Sequence, residues 1–303
     1  MICKYKSWSM NHVVVIGSMY ALTGCMFVIV GLVEPPEDEA IQRLRNAETP
    51  RELAKCYQQI FGEATIEQLK EFESQSDYHL AIPAGWELLR RTLPKKRRDD
   101  IIYHDEKALS KFLDSVEDHI KVDVPSAWRK AVLSAQLPGR SDIWYVMPQF
   151  LKIPHAFIED EQGSRPATLR SADEGFEFVT EDEIEIWKVP LLERPMPPHP
   201  CARLEVTKES LFFARYPFVP IPFDLQAMDR KSGKVVWSTQ VWAAGDFTGY
   251  RGPHWHYVDF VVKDEMLIVF GLSVGSMYIE KFDVKTGKNL FRFNQIYLEI
   301  DLS

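Results

Sequence analysis

The chain has 303 residues, of which 46% are hydrophobic and 26% charged, and its formal net charge is −8. This length accommodates two modest domains without a disulfide framework, and the composition is that of a folding globular chain. The acidic balance lacks the basic surplus of nucleic-acid-binding proteins, so nucleic acid is not expected as a partner. The only basic run, at 95–98, is predicted to be a solvated loop between helices.

A membrane anchor is predicted near the N-terminus. Residues 13–33 are uncharged and mostly apolar, and as a helix they would extend about 31 Å, the thickness of a bilayer core. Lys4 and Lys6 precede this run, while four acidic residues follow it between 34 and 39. Because basic flanks normally stay in the cytoplasm, the N-terminus is predicted to be cytoplasmic and the body exported.

Two alternatives to an uncleaved anchor remain open. A cleaved signal peptide is one, although its apolar region is usually shorter than this run. The other rests on Leu22, Thr23, Gly24 and Cys25, which resemble the lipobox of bacterial lipoproteins. That resemblance implies cleavage before Cys25 and lipidation of its thiol, and it would also leave the body outside the cytoplasm.

The cysteines outside this segment, Cys56 and Cys201, indicate little chemistry. They are too few for a disulfide scaffold. The chain has no C-x-x-C pair, so neither a redox dithiol nor a zinc knuckle is suggested.

Residues 37–140 are predicted to form a helical domain. Thr49 can cap a helix whose first turn contains Pro50 and Glu52, and Thr65 with Gln68 forms a second start of the same kind. Gly62 is predicted to end the first of these helices. Further buried helix faces are indicated by apolar residues at helical spacing: Leu109, Phe112, Leu113, Val116 and Ile120, then Trp128, Val132 and Leu133.

Residues 141–303 are predicted to form an antiparallel β domain, which gives an α+β fold class overall. Aromatic and β-branched stretches at 143–146 and 176–179 indicate strands. Five prolines between 190 and 200 predict a linker before the last segment.

That last segment contains an internal repeat with a period of 54 residues, at about 201–250 and 255–303. Its shared pattern is D-x-x-[ST]-G-K-x-x-[WF]. The Asp can accept backbone amides in a turn, the Gly can adopt positive φ, and the aromatic residue can pack inward, so each copy predicts a β-hairpin. The residues in question are Asp229, Gly233 and Trp237 in the first copy, and Asp283, Gly287 and Phe291 in the second.

Both copies resemble the PQQ-like repeat of quinoprotein-type β-propellers, whose signature is A-x-D-x-x-T-G-x-x-x-W. The first copy keeps the alanine as Ala227, whereas the second has Lys281 there and Phe291 in place of the tryptophan. The resemblance implies propeller-blade-like sheets. A closed propeller needs four to eight blades, and this segment can hold about three, so an incomplete propeller is expected. Pyrroloquinoline quinone, which such dehydrogenases bind on the axis of a full propeller, is not expected as a cofactor.

Two patterns in the sequence are of a kind associated with catalysis. Ser273 lies in a G-x-S-x-G pattern, but the following residues look like a strand and no histidine follows, so a hydrolase elbow is not predicted. His254 and His256 are weak candidates for a metal site, with Asp246 or Asp259 as a third ligand. No catalytic residue, bound metal or cofactor is otherwise predicted.

Two functional hypotheses follow from these observations. The first is a membrane-tethered, non-catalytic protein-interaction or scaffold protein of the cell envelope, anchored through 13–33. The second is an enzyme, such as a metal-assisted hydrolase, with a site near His254 and His256. The first predicts an exposed apolar patch or an unpaired sheet edge in the β half, and the second predicts a pocket of convergent polar groups.

Overall fold

A computed structural model describes residues 39–92, 96–98, 101–103, 106–136, 156–160, 163–172, 175–180, 186–190, 201–216, 222–242, 256–273 and 276–299. The predicted anchor at 13–33, the alternative lipidation site Cys25, the strand at 143–146 and most of the proline-rich linker lie outside these residues. Among the described helices, none has the length and apolar character needed to cross a membrane.

Helices dominate the first half of the described chain. They are α1 (Glu39–Arg45), α2 (Pro50–Tyr57), α3 (Ile66–Glu73), α4 (Tyr78–Thr92), α5 (Glu106–Ile120) and α6 (Ser126–Gln136), and a short α7 (Gln295–Glu299) follows the last described strand. The predicted stripes on α5 and α6 are confirmed as largely buried faces, with Leu133 only partly buried.

Both predicted helix starts are confirmed. Thr49 accepts a hydrogen bond from the backbone N–H of Glu52, and the Glu52 carboxylate accepts one from the backbone N–H of Thr49, each at 3.2 Å. Thr65 and Gln68 make the same exchange at 3.2 and 2.8 Å. Each pair satisfies amides that a helix N-terminus leaves without partners.

The end of α2 differs from a simple stop. The helix continues into one π-helical turn, Gln58–Gly62, which ends at the predicted Gly62. The guanidinium of Arg91 donates to the backbone carbonyls of Phe61, Gly62 and Ala64 at 2.6 to 2.8 Å. A side chain distant in the sequence therefore satisfies carbonyls that the end of this helix leaves open.

The described strands form three sheets. The first is a hairpin of β1 (Lys96–Arg98) and β2 (Ile101–Tyr103). The second has eight strands in the order β10-β9-β8-β7-β3-β4-β5-β6, and the third has four in the order β11-β12-β13-β14. Their bounds are β3 (Ala156–Asp160), β4 (Gly163–Ala172), β5 (Gly175–Thr180), β6 (Ile186–Pro190), β7 (Cys201–Val206), β8 (Ser210–Tyr216), β9 (Phe223–Asp229), β10 (Val235–Val241), β11 (His256–Lys263), β12 (Met266–Ser273), β13 (Ser276–Asp283) and β14 (Asn289–Asn294).

The α+β class is confirmed, and no described sheet closes on itself. Pairing is antiparallel except between β3 and β7, which meet in parallel at Ile158 and Val206. The hairpin β1–β2 corrects the prediction of a loop at 95–98. Its two strands are joined by only two residues, and the β-branched Ile101 and Ile102 favour a strand, so local β propensity outweighs the basic charge.

The four-stranded sheet is the middle layer of the molecule. One of its faces packs against the helices, and the other packs against β8, β9 and β10 of the larger sheet. Strand β12 is consequently buried over nearly its whole length, and its sequence MLIVFGLS is the continuous apolar run expected of a strand covered on both faces.

Hydrogen bonds from aromatic side chains join the helices to the sheet. Tyr57 donates to the carbonyl of Arg292, and Trp128 donates to the carbonyl of Gly271, each at 2.9 Å. Trp86 donates to the carboxylate of Glu299 in α7 at 3.2 Å. The described helices and the four-stranded sheet therefore share one core.

Candidate interaction site

The two repeat copies form hairpins with the same turn. Asp229 Oδ1 accepts bonds from the backbone N–H and the hydroxyl of Ser232 at 2.7 and 2.6 Å. Asp283 Oδ1 accepts the equivalent bonds from Thr286, both at 2.7 Å. These bonds, those from the hydroxyls most strongly, lower the pKa of both Asp carboxyls. The predicted role of the aspartates as turn acceptors is confirmed.

The glycines of the two turns are also equivalent. Gly233 and Gly287 have φ of +66° and +69°, a region that costs other L-residues energy. After each turn the pairing register skips one residue, Val236 in β10 and Leu290 in β14. The 54-residue repeat is thus reproduced down to its hydrogen bonds and its bulge.

The first copy packs directly on the turn of the second. Trp237 is largely buried, and its indole N–H donates to the carbonyl of Val284 at 2.8 Å. A Cβ at Gly287 would lie 2.6 Å from the Trp237 ring, closer than atoms can approach. A glycine is therefore required at 287 for two reasons: the backbone has a positive φ, and the Trp237 ring leaves no room for a Cβ.

The second copy packs on the helices instead. Phe291, the counterpart of Trp237, is buried against Tyr78 and His79 at the start of α4, with ring centroids 5.0 and 5.2 Å apart. The two equivalent aromatic residues are thus buried by different neighbours: Trp237 by the turn of the second copy, and Phe291 by the start of α4.

Lys281 reflects this change of neighbour. In the first copy the equivalent residue is Ala227, which lies in the core between the two sheets. Lys281 instead faces α4 and is only 3% exposed, with its ammonium nitrogen 4.2 Å from the centroid of the Tyr78 ring. Burial lowers the pKa of Lys281. Its cation–π contact with Tyr78 explains why a lysine is tolerated here.

A buried ionic cluster lies on the opposite face of β13. The carboxylate of Glu280 accepts bonds from the backbone N–H of Trp242 at 2.7 Å, from Asn289 at 3.1 Å and from Arg292 at 2.9 Å. The Arg292 guanidinium also stacks on the Trp242 ring at 3.5 Å. Sequence reasoning did not single out this cluster, and the only available signal was a charged pair, Glu280 and Lys281, inside an otherwise apolar strand.

His79 should make the stability of the protein depend on pH. Burial lowers the pKa of His79 to about 4, while Asp77 opposes the shift and Arg45 and Lys281 reinforce it. Because an unfolded histidine titrates near 6.5, the unfolded state binds more protons between pH 6.5 and 4, and stability should fall as pH drops through this window. The expected loss is up to about 3 kcal/mol, measured by denaturant unfolding at several pH values.

The variant His79→Gln serves as the control for this titration. Its own stability should lack the His79-dependent fall between pH 6.5 and 4, because glutamine does not titrate, so the stability difference from the original protein should shrink as the pH drops through this window. A variant that kept the slope of the original protein would assign the pH dependence to carboxylates instead.

The candidate catalytic residues are only partly placed. His254 and Asp246 lie outside the described residues, as does the side chain of His256, whose backbone opens β11 opposite Ser273. Ser273 is fully buried, and β13 follows it after two residues, whereas a hydrolase elbow leads from a strand into a helix and exposes its serine. Asp259 is engaged by Arg203 at 2.7 Å and by Tyr257 at 3.1 Å. Over the described ranges, no group of three or more His, Cys, Asp or Glu could hold a metal ion.

An exposed sheet edge lies at the other end of the first copy. Strand β10 ends the eight-stranded sheet, and no described strand pairs with its outer side. Val235 and Val236 are 47% and 59% exposed and are the large hydrophobic residues most open to solvent in the part of the chain that the structure describes. Open backbone groups beside exposed β-branched side chains form a surface suited to another strand.

No protein-family model matches the chain, and no significant match to a curated protein was found.

Proposed function

We propose that this chain is a membrane-tethered, non-catalytic interaction protein of the cell envelope that binds protein partners through β10. The observation that supports this best is the open edge of β10, with its two exposed valines at the end of an eight-stranded sheet. An edge of this kind can add a strand from another protein, since main-chain hydrogen bonds supply affinity and alternate side chains supply specificity.

The rest of the described body supports a platform role. The outer face of the second repeat copy is covered by helix α4 through Phe291 and Lys281. Buried aromatic residues connect the helices, the four-stranded sheet and the larger sheet. A partner bound at β10 would therefore meet a preformed surface. Preformed surfaces bind without the ordering cost that a mobile segment incurs.

The membrane tether is proposed from residues 13–33 and from the basic residues that precede them. Lipidation at Cys25 is the alternative, and either would hold the body outside the cytoplasm. The two repeat units are further proposed to be blade-like sheets of an incomplete propeller. Their identical turns and the docking of Trp237 on the second turn support this reading.

The test is photo-crosslinking of the full chain in cells. A photoreactive amino acid at Val236 should give discrete protein adducts that stay in the membrane pellet after carbonate washing. The matched control position is Ser76, which is exposed in the helical half. The same probe there should give no such adducts.

Three outcomes would contradict the proposal. Adducts that are equal at both positions, or absent at Val236, would remove β10 as the binding surface. A full-length chain that appears in the carbonate supernatant would remove the tether.

A further inference from the structure

The turn of the second repeat copy, at 283–288, is a filled binding site for an indole ring. The ring of Trp237 lies over Gly287, where a Cβ would come within 2.6 Å of it. The indole N–H donates to the carbonyl of Val284 at 2.8 Å. This turn therefore offers a tryptophan two things: a glycine without a side chain beneath the ring, and a carbonyl for the N–H.

The turn of the first copy, at 229–234, has the same backbone shape. The φ angle is +66° at Gly233 and +69° at Gly287. The backbone N–H of Asp229 donates to the carbonyl of Lys234 at 2.9 Å, and the second turn contains the equivalent bond at the same distance. A ring that fits over the glycine of the second turn therefore fits the backbone of the first.

The hydrogen-bond acceptor is also reproduced. The counterpart of Val284 in the first turn is Arg230, the residue after the turn aspartate. The backbone N–H of Arg230 donates to the carbonyl of Glu209 at 3.0 Å, and that of Val284 donates to the carbonyl of Glu265 at the same distance. Because a carbonyl oxygen has two lone pairs, the Arg230 carbonyl can accept an indole N–H as the Val284 carbonyl does.

The two turns differ in what covers them. Among the described residues, no heavy atom lies within 4 Å of the place that a Cβ at Gly233 would take. Gly233 is partly exposed, whereas Gly287 is buried. The first copy therefore presents to solvent the kind of site that Trp237 fills in the second copy.

The occupant of the second turn indicates the occupant of the first. A tryptophan matches both parts of the site, since its ring is flat and its N–H is a donor. A second copy of this chain is a poor source of that ring, because the tryptophan side chains that the structure describes are buried in its own core: Trp86, Trp128, Trp237 and Trp242. A different protein that presents a tryptophan on its surface is the partner that fits.

We propose that a tryptophan side chain of another protein binds to the turn at 229–234, with its ring over Gly233 and its indole N–H donating to the Arg230 carbonyl. This inference rests on the proposed function for the existence of a protein partner, but it does not require that partner to pair with β10. It names the side chain through which the partner is held.

Disulfide tethering tests whether the first turn binds an indole. The full chain in mild detergent receives a cysteine at an exposed turn position, Lys231→Cys, and is incubated in a thiol buffer with equal amounts of indole-3-ethanethiol and 2-cyclohexylethanethiol. Mass spectrometry of the digested chain measures the two adducts at that cysteine. The indole adduct should exceed the cyclohexyl adduct about tenfold. The 1-methylindole thiol should lose most of this preference, because it leaves the carbonyl without a donor.

The second turn supplies the matched control, because Lys285 is the equivalent of Lys231. Lys285→Cys should show no preference while Trp237 fills that turn, and should gain it in the Trp237→Ala background. Adding Gly233→Ala to Lys231→Cys should abolish the preference, because the new Cβ takes the space of the ring. Equal yields of the two adducts at Lys231→Cys would overturn the inference.

Photo-crosslinking in cells tests whether the natural occupant belongs to another protein. A photoreactive amino acid at Lys231 of the full chain should give protein adducts, and Gly233→Ala should reduce them about tenfold. Absence of adducts at Lys231, or adducts that Gly233→Ala leaves unchanged, would overturn the inference. Adducts at Val236 in that same case would leave the proposed function standing, whereas their absence would remove it as well.

Discussion

Replacing Gly287 with alanine should destabilise the protein much more than replacing Gly233 with alanine. Both glycines have nearly the same positive φ, so both variants pay about 1 to 2 kcal/mol for an L-residue in that conformation. At Gly233 no atom lies within 4 Å of the new Cβ, whereas at Gly287 the Trp237 ring lies at 2.6 Å. Displacing that ring should bring the loss for Gly287→Ala to about 3 to 4 kcal/mol. Denaturant unfolding of the full chain in detergent, followed by tryptophan fluorescence, measures the difference.

The Trp237→Ala background isolates the contact. Without the indole ring, Gly287→Ala should cost no more than Gly233→Ala, because only the conformational penalty remains. Equal losses for the two variants in the presence of Trp237 would show that the first copy does not dock on the turn of the second.

Replacing Glu280 with alanine is the second large effect expected. The substitution leaves the partly buried Arg292 guanidinium, which is 16% exposed, without its carboxylate and removes the acceptor of the Trp242 backbone N–H. Breaking a buried ion pair from one side typically costs about 3 to 5 kcal/mol. The same unfolding measurement should show a loss of this size.

Two variants control for this effect. Glu265→Ala breaks the exposed pair with Lys285 and should cost less than about 1 kcal/mol. The double variant Glu280→Leu/Arg292→Leu should recover much of the loss, since it removes both buried charges. A Glu280→Ala variant as stable as Glu265→Ala would mean that water reaches the cluster and solvates Arg292.

Features set by a few neighbouring residues were predictable from the sequence. The capping boxes at Thr49 and Thr65, the buried stripe of α5 and the hairpins at Gly233 and Gly287 each depend on a pattern within one or two turns of chain. The hairpin at 96–103 was not predicted, because the basic charge of 95–98 suggested a solvated loop. The short connection of two residues between its strands is the signal that favours a hairpin. The π turn before Gly62 was also missed, since the carbonyls at that helix end are satisfied by Arg91 from another helix.

The interaction site could not be located from the sequence alone. The sequence of β10 indicates a strand, but whether it lies at an edge depends on the order of eight strands, which no local pattern encodes. The contact between Trp237 and the second turn joins positions 47 residues apart at the Val284 carbonyl. Glu280 is part of a continuous strand pattern, and its role appears only when Trp242 and Arg292 are brought together.

The place of α7 also has a consequence for how the molecule is made. The bond between Trp86 and Glu299 joins residues 213 positions apart, and the core of the helices includes Phe293 and Tyr297. As the chain emerges from the ribosome, the helices are synthesised long before the strand and helix that complete their core. Until then the apolar faces of the helices remain uncovered, so folding to the final state should follow synthesis of these last elements. Before that point, a chaperone or the membrane surface could shield the uncovered apolar faces.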